Sequence, residues 1–206
     1  AYRYLLNKGY GPEHITLCGE SAGGGLCYAL CLKLKELGLP QPCGIIAISP
    51  WTDLTASGPS YETNRDVDVA VTAKKLDFFA TSYTSHRSDP LVSPLFGDLS
   101  HMPPSLIFVG GDEIMLSDSQ LLHDRLTEAG RKSELYVRPG RWHIYLLYGL
   151  EEDQQEFTLI NQFLNQNMAP ERKLRWMRLD NAAKIYPAAQ RQRWSNLFRI
   201  SATLTE

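Results

Sequence analysis

"ITLCGESAGGGL", residues 15–26, sets a single serine, Ser21, among Gly19, Ala22, Gly23, Gly24 and Gly25, after a β-branched apolar run and before a helix-forming one. A serine in an ordinary surface turn needs one flexible neighbour. So many small residues on both sides mean that bulk must be kept away from this one. Gly19-Glu20-Ser21-Ala22-Gly23 is G-x-S-x-G, the pattern of a sharp strand-to-helix turn that holds a serine in strained geometry above a sheet edge. Gly19 and Gly23 are then the elbow positions where a side chain would strike the neighbouring strand or helix. Ala22, the residue after the serine, supplies the backbone N–H that would face negative charge developing beside it.

Outward from this turn, strand and helix signals alternate. "HITLCG" (14–19) reads as a short buried strand, and "SAGGGLCYALCLKLKELG" (21–38) as a helix with Leu26, Leu30, Leu34 and Leu37 on one stripe, ended by Gly38. "CGIIAIS" (43–49) is fully apolar, as in a parallel sheet. A long excursion follows, "PWTDLTASGPSYETNRDVDV" with a candidate helix over "TAKKLDFFATSY" (72–83) and the loop "DPLVSPLFGDLSHMPP", and such excursions are usually functional insertions. "SLIFVGG" (105–111) and "SELYVRPG" (133–140) are two more strands, separated by a helix over about Ser117–Ala129 and followed by an amphipathic helix within "EDQQEFTLINQFLNQNM". This order predicts a doubly wound, mainly parallel α/β sheet over residues 1–168. From Ala169 to Glu206 the chain turns basic and loses the alternation, so we expect a tail or the start of a second domain there.

Composition bounds the rest. The chain of 206 residues has a formal net charge of -2, which gives no reason to expect a nucleic-acid partner. Cys18, Cys27, Cys31 and Cys43 form no C-x-x-C and no metal-ligand spacing with histidine, and read as reduced core residues; no metal site or cofactor is expected. No apolar run approaches a membrane span and no leader is visible, so a cytoplasmic location is expected. "AYRYLLNKGY" begins in mid-pattern, and we expect residues of the same domain upstream of it.

A serine hydroxyl attacks only if a base takes its proton, and the base needs a third group to hold it. On such a sheet the partners follow in the order serine, acid, histidine, each after a strand. Asp112 directly follows "SLIFVGG", with Glu113 its nearest rival, whereas Asp118 reads as a cap or first-turn acid of the next helix. His143 lies three residues past the "RPG" turn, while His14 opens a strand at the wrong end, His123 lies within a helix, and His86 and His101 precede the acid. Ser21, Asp112 and His143 are therefore the predicted triad.

"GESAGG", "SPWTDL", "DPLVSPLFGDL" and "FVGGDEIMLSDS" occur in an order that resembles the hormone-sensitive-lipase-like branch of the α/β-hydrolases, over about residues 1–165. The resemblance implies an α/β-hydrolase fold and an esterase acting on small or medium acyl esters, with Ser21 as nucleophile, Asp112 as acid and His143 as base. It implies further that Trp51 and the segment to about Asp89 form part of a cap lining the substrate pocket. That family's H-G-G-G oxyanion loop belongs upstream of the elbow and is not found in this chain, which leads us to expect that the N-terminal part of the domain is missing. "MRLDNAAKIYPAAQRQRWSNLFRISATL" is similar to the opening of condensation-like alcohol acyltransferase domains, though no histidine has Asp four residues on. Acyl transfer to an alcohol, and a ligand-binding relative without turnover, stand as the alternatives.

Overall fold

The structure, a computed structural model, describes residues 1–170. Helix α1 (Tyr2–Asn7) leads into β1 (Thr16–Glu20), α2 (Ala22–Glu36) and β2 (Gly44–Ile48). The insertion holds α3 (Ser60–Thr63) and α4 (Ala73–Tyr83), and the alternation resumes with β3 (Ser105–Gly110), α5 (Leu116–Glu128), β4 (Ser133–Arg138) and α6 (Gln154–Asn167). All four predicted strands are present. They form one sheet in the order β1-β2-β3-β4, every neighbouring pair parallel.

Because side chains alternate across a strand, the apolar runs of β2 and β3 feed two cores at once. Ile45, Ala47 and Ile107 pack against Tyr28, Cys31 and Leu32 of α2 and Leu122 and Leu126 of α5. Ile46, Ile48, Leu106 and Phe108 face the opposite way, onto Phe163 of α6 and onto Tyr145 and Leu146 in the loop before it. Layers on both faces make the sheet doubly wound, as expected. The insertion builds a third core, with Trp51, Leu54, Tyr61, Leu76 and Ala80 closing on Ile114 and Met115 just past β3.

The buried face of α2 follows the expected leucine stripe only in part, with Leu34 2% exposed and Leu30 packed on the same small core. Leu26 and Leu37 are 58% and 46% exposed, while Cys27, Tyr28, Cys31 and Leu32 face the sheet. Gly24 and Gly25 fix this rotation: a Cβ at Gly24 would lie 2.8 Å from the Pro50 Cβ, and one at Gly25 would lie 2.1 Å from the Trp51 carbonyl oxygen, so this side of the helix must face that turn. The cysteine reading holds only in part. All four thiols are free, Cys27 and Cys31 are buried and Cys43 is half-buried, but Cys18 is exposed on β1, whose only strand partner among the described residues is β2. The tail expected beyond residue 168, with its acyltransferase-like stretch, lies from residue 171 onward outside the described residues.

Of the two elbow glycines, only Gly19 has the expected steric reason to be small. A Cβ on Gly19 would lie 2.3 Å from the Gly23 carbonyl oxygen, a backbone atom that cannot move aside, whereas one on Gly23 meets nothing within 4 Å. Gly19→Ala should therefore destabilise the intact protein by about 1–3 kcal/mol or more. Gly23→Ala should leave stability within about 1 kcal/mol of the parent, helped by the better helix propensity of alanine. Urea-unfolding midpoints of the two variants would check the contrast.

Candidate active site

Each reactive side chain leaves the sheet at the carboxyl end of a strand or in the loop that follows it. Ser21 stands between β1 and α2 with φ 53 and ψ -126, a conformation that L side chains rarely adopt. Its N–H donates to the Ile48 carbonyl at 2.9 Å, and its own carbonyl accepts from Gly25 N–H at 3.2 Å and Trp51 N–H at 2.9 Å. The hydroxyl is thus held above the sheet by backbone on three sides. Ala22 is the first residue of α2, so its N–H is among the amides that an α-helix leaves without an intrahelical partner, at the positive end of the helix dipole.

His143, only 4% exposed, lies between two partners. Its Nε2 is 3.0 Å from Ser21 Oγ and its Nδ1 is 3.0 Å from Glu113 Oε2. An ionised carboxylate can only accept, so Nδ1 carries the proton and Nε2 accepts from the serine hydroxyl. Glu113 is wholly buried. Burial raises its carboxyl above the ordinary range, opposed by the hydrogen bond to His143, the imidazole charge and the Ser49 hydroxyl.

The predicted acid does not make this contact. Asp112 N–H donates to the Arg141 carbonyl at 3.0 Å, while the next residue, Glu113, reaches the imidazole. The chain turns at Gly111 and Asp112 immediately after β3, and that turn brings residue 113 rather than 112 beneath His143. Ser49, marked in the sequence only as the end of an apolar strand and the first residue of "SPWTDL", also belongs to the site. It has φ 49, and its Oγ accepts from Ile144 N–H at 2.9 Å, fixing the residue after the histidine, itself at φ 52. Among the other histidines, His123 is occupied with Ser133 Oγ at 2.9 Å.

Above Ser21 and His143 opens a cavity of ≈ 540 Å³, walled by Leu26, Trp51, Leu54, Val71, Leu76 and Phe79 among others. Of the segment from Trp51 to about Asp89 that was expected to line a pocket, part does so, from Trp51 and Leu54 to Phe79 and Tyr83, with Leu91 and Val92 just beyond it, and Leu26, exposed on α2, is part of the same wall. Such a volume with apolar walls and few polar groups suits a small organic ligand.

A serine at a strained strand-helix turn, joined through a buried imidazole to a carboxylate at the carboxyl edge of a parallel sheet, defines a nucleophile-elbow protein of the α/β class. Residues 1–147 match the family described by the alpha/beta hydrolase fold, and the chain belongs to that family. It is 34% identical over 168 residues to an acetyl-hydrolase of Streptomyces hygroscopicus, covering 80% of this chain and 56% of that protein. It is 35% identical over 175 residues to the carboxylesterase/phospholipase LipF of Mycobacterium tuberculosis, covering 80% and 46%. A crystal structure of an esterase from the bacterial hormone-sensitive lipase family superposes with a TM-score of 0.79 at 37% identity, covering 82% of this chain and 58% of that one. The chain therefore spans about half the length of the curated relatives it matches. Among the described residues, no helix is long and apolar enough to cross a membrane.

Asp118, expected as a cap or first-turn acid of α5, lies in its first turn, where Met115 is the N-cap, and also bonds the insertion. Its side chain is 1% exposed, and Oδ2 accepts from Thr52 and Asp53 N–H, each at 2.9 Å, pinning the turn that carries Trp51. Burial pushes its carboxyl up to about 8, against the two backbone hydrogen bonds. A carboxyl raised on folding contributes stability that is complete below the unfolded value and is lost as pH climbs through about 8. The stability advantage of the parent over Asp118→Asn should accordingly shrink between pH 5 and pH 9, as read from thermal midpoints. Asp118→Ala, which leaves two buried N–H groups unpaired, should cost about 2–6 kcal/mol at either pH.

Proposed function

We propose that this chain carries the reactive residues of a serine carboxylic ester hydrolase, with Ser21 as nucleophile, His143 as general base and Glu113, in place of the predicted Asp112, as the acid. The observation that carries the reading is the continuous path from Ser21 Oγ through His143 to Glu113, with both links at 3.0 Å, at the floor of the apolar cavity. In this reading Ser21 Oγ attacks the ester carbonyl carbon as His143 Nε2 takes the hydroxyl proton. The negative charge on the carbonyl oxygen faces the Ala22 N–H, and Glu113 stabilises the imidazolium. The intermediate collapses to an acyl-serine and an alcohol, which leaves with the proton from His143. Water, deprotonated by the same nitrogen, then releases the acid. The steps draw on three side chains, one backbone N–H and water, and the cavity volume and apolar walls support acyl groups of small or medium length. Relatives named esterase, acetyl-hydrolase and carboxylesterase support the same reaction class.

The test is made in the intact protein with a short-chain aryl ester and an organophosphonate that labels active serines. Ser21→Ala should abolish both turnover and labelling. Glu113→Gln should lower kcat by about 10⁴, as loss of the acid does in serine proteases, because the amide no longer fixes the tautomer. Asp112→Asn should stay within about threefold of the parent, since its side chain is not the partner of His143. If Asp112→Asn were the more damaging of the two, Glu113 would not be the acid.

A further inference from the structure

We propose that Asp68 is a positioning residue that ties the wall of the substrate cavity to the acid of the relay, so that one buried carboxylate sets both the seat of the acyl group and the alignment of His143. This rests on the roles given above to Ser21, His143 and Glu113. Asp68 is 8% exposed and lies in the insertion, between α3 and α4. Its Oδ1 accepts from Ala70 N–H at 2.8 Å and Val71 N–H at 3.1 Å, and both of these residues line the cavity. Its Oδ2 accepts from Ile114 N–H at 2.9 Å, the amide directly after Glu113.

The first pair of bonds alone is a local turn, such as aspartates make with the amides two and three residues on. The bond to Ile114, 46 residues away in sequence, is not local, and it lands on the loop that carries the acid. That loop has no secondary structure of its own between β3 and α5, so its buried backbone groups need partners from elsewhere. The insertion supplies them. Asn64 Nδ2 donates to the Gly111 carbonyl at 3.1 Å and the Glu113 carbonyl at 2.9 Å, Ser60 Oγ donates to the Ile114 carbonyl at 2.6 Å, and Asp68 takes the Ile114 N–H. The backbone at Glu113 is thus held on both sides by the segment that also forms the cavity wall.

The chemistry also explains why a carboxylate stands at this position. Three N–H donors converge on its two oxygens, and only an ionised carboxylate accepts at both. An asparagine could satisfy the cavity side or the acid side, but would turn an N–H donor toward the other.

The experiment is a double-mutant cycle in the intact protein. It measures kcat and KM on aryl esters with acyl groups of two, four and eight carbons for the parent, Asp68→Asn, Glu113→Gln and the double variant. Asp68→Asn should lower kcat by about tenfold in the parent background, with a larger loss in kcat/KM for the eight-carbon ester. In the Glu113→Gln background it should change kcat on the two-carbon ester by less than twofold, because its route to His143 is already cut. Equal fold losses in both backgrounds, or unchanged kinetics in the parent, would overturn the proposal. Should Asp68→Asn fail to fold, the same cycle with Asn64→Ala decides. Apart from the exposed Thr63 hydroxyl, the Asn64 side chain bonds only the acid loop, so the loss in kcat should be the same for all three esters and should vanish without Glu113, and an additive result would refute the link. A parent that hydrolyses none of the esters, or a Ser21→Ala variant as active as the parent, would instead defeat the assignment of the relay.

Discussion

Everything at the reactive edge depends on how closely β1 and α2 approach each other. With Gly19 against the Gly23 carbonyl, Gly24 against Pro50 and Gly25 against the Trp51 carbonyl, three absent side chains let α2 close both on β1 and on the turn that follows β2. Only at that spacing can the chain reverse within one residue, and that residue is Ser21 at φ 53. A wider gap would permit a longer turn and a relaxed serine, and the hydroxyl would lose its fixed height above the sheet. The same approach sets the first amides of α2, left unbonded by the helix, beside Ser21. In the proposed reaction, placement of the nucleophile and stabilisation of charge would therefore come from one packing constraint.

Glu113, the proposed acid, depends on a different part of the chain. β3 ends at Gly110 and α5 begins at Leu116, so Glu113 sits on irregular backbone that the sheet alone does not hold. The insertion between β2 and β3 holds it from the cap side, through Ser60, Asn64 and Asp68, and Asp118 of α5 reaches back to pin the Trp51 turn. These are hydrogen bonds between buried groups, so leaving any of them unmade is costly and the arrangement resists partial loosening. The segment that shapes the cavity and the loop that orients the histidine thus form one polar network over one apolar core, that of Trp51, Tyr61, Ile114 and Met115.

This division explains what could be read from the sequence. Strands and their order were legible because a fully apolar run such as "GIIAI" has few alternatives, and Ser21 was legible because its glycines have a steric cause. His143 was legible from chain order. The acid was not, since Asp112 and Glu113 are adjacent and both follow β3. Alternation carried past Gly110 would place residue 112 on the face of Leu106 and Phe108, where the histidine loop packs, but the chain turns at Gly111 and Asp112 and the alternation ends there. Burial marks the difference, because Glu113 is wholly enclosed while Asp112 is half-exposed. The leucines of α2 misled for a related reason. Periodicity selects an apolar face but cannot tell a face turned to the sheet from one turned to a cavity, and Leu26 belongs to the cavity.

Backbone strain shows how the strand ends cooperate. Of the four non-glycine residues at positive φ among those described, three are Ser21, Ser49 and Ile144, all at the site. Each such conformation costs about 1–3 kcal/mol and persists only where neighbours over-determine it. Ser21 and Ser49 are each held from the next strand along, Ser21 N–H by the Ile48 carbonyl of β2 and Ser49 N–H by the Phe108 carbonyl of β3 at 2.7 Å, while Ile144, past β4, is held across the edge by Ser49 Oγ after β2. Parallel strands in the order β1-β2-β3-β4 bring all their carboxyl ends to one edge, and each strand delivers one residue there: Ser21, Ser49, Glu113 and His143. An antiparallel sheet of the same strands would send half of them to the opposite edge. The lateral bonds that hold the strained residues and the hydrogen-bonded path through the imidazole thus both follow from strand direction, which the unbroken apolar runs of β2 and β3 already favour by demanding cover on both faces.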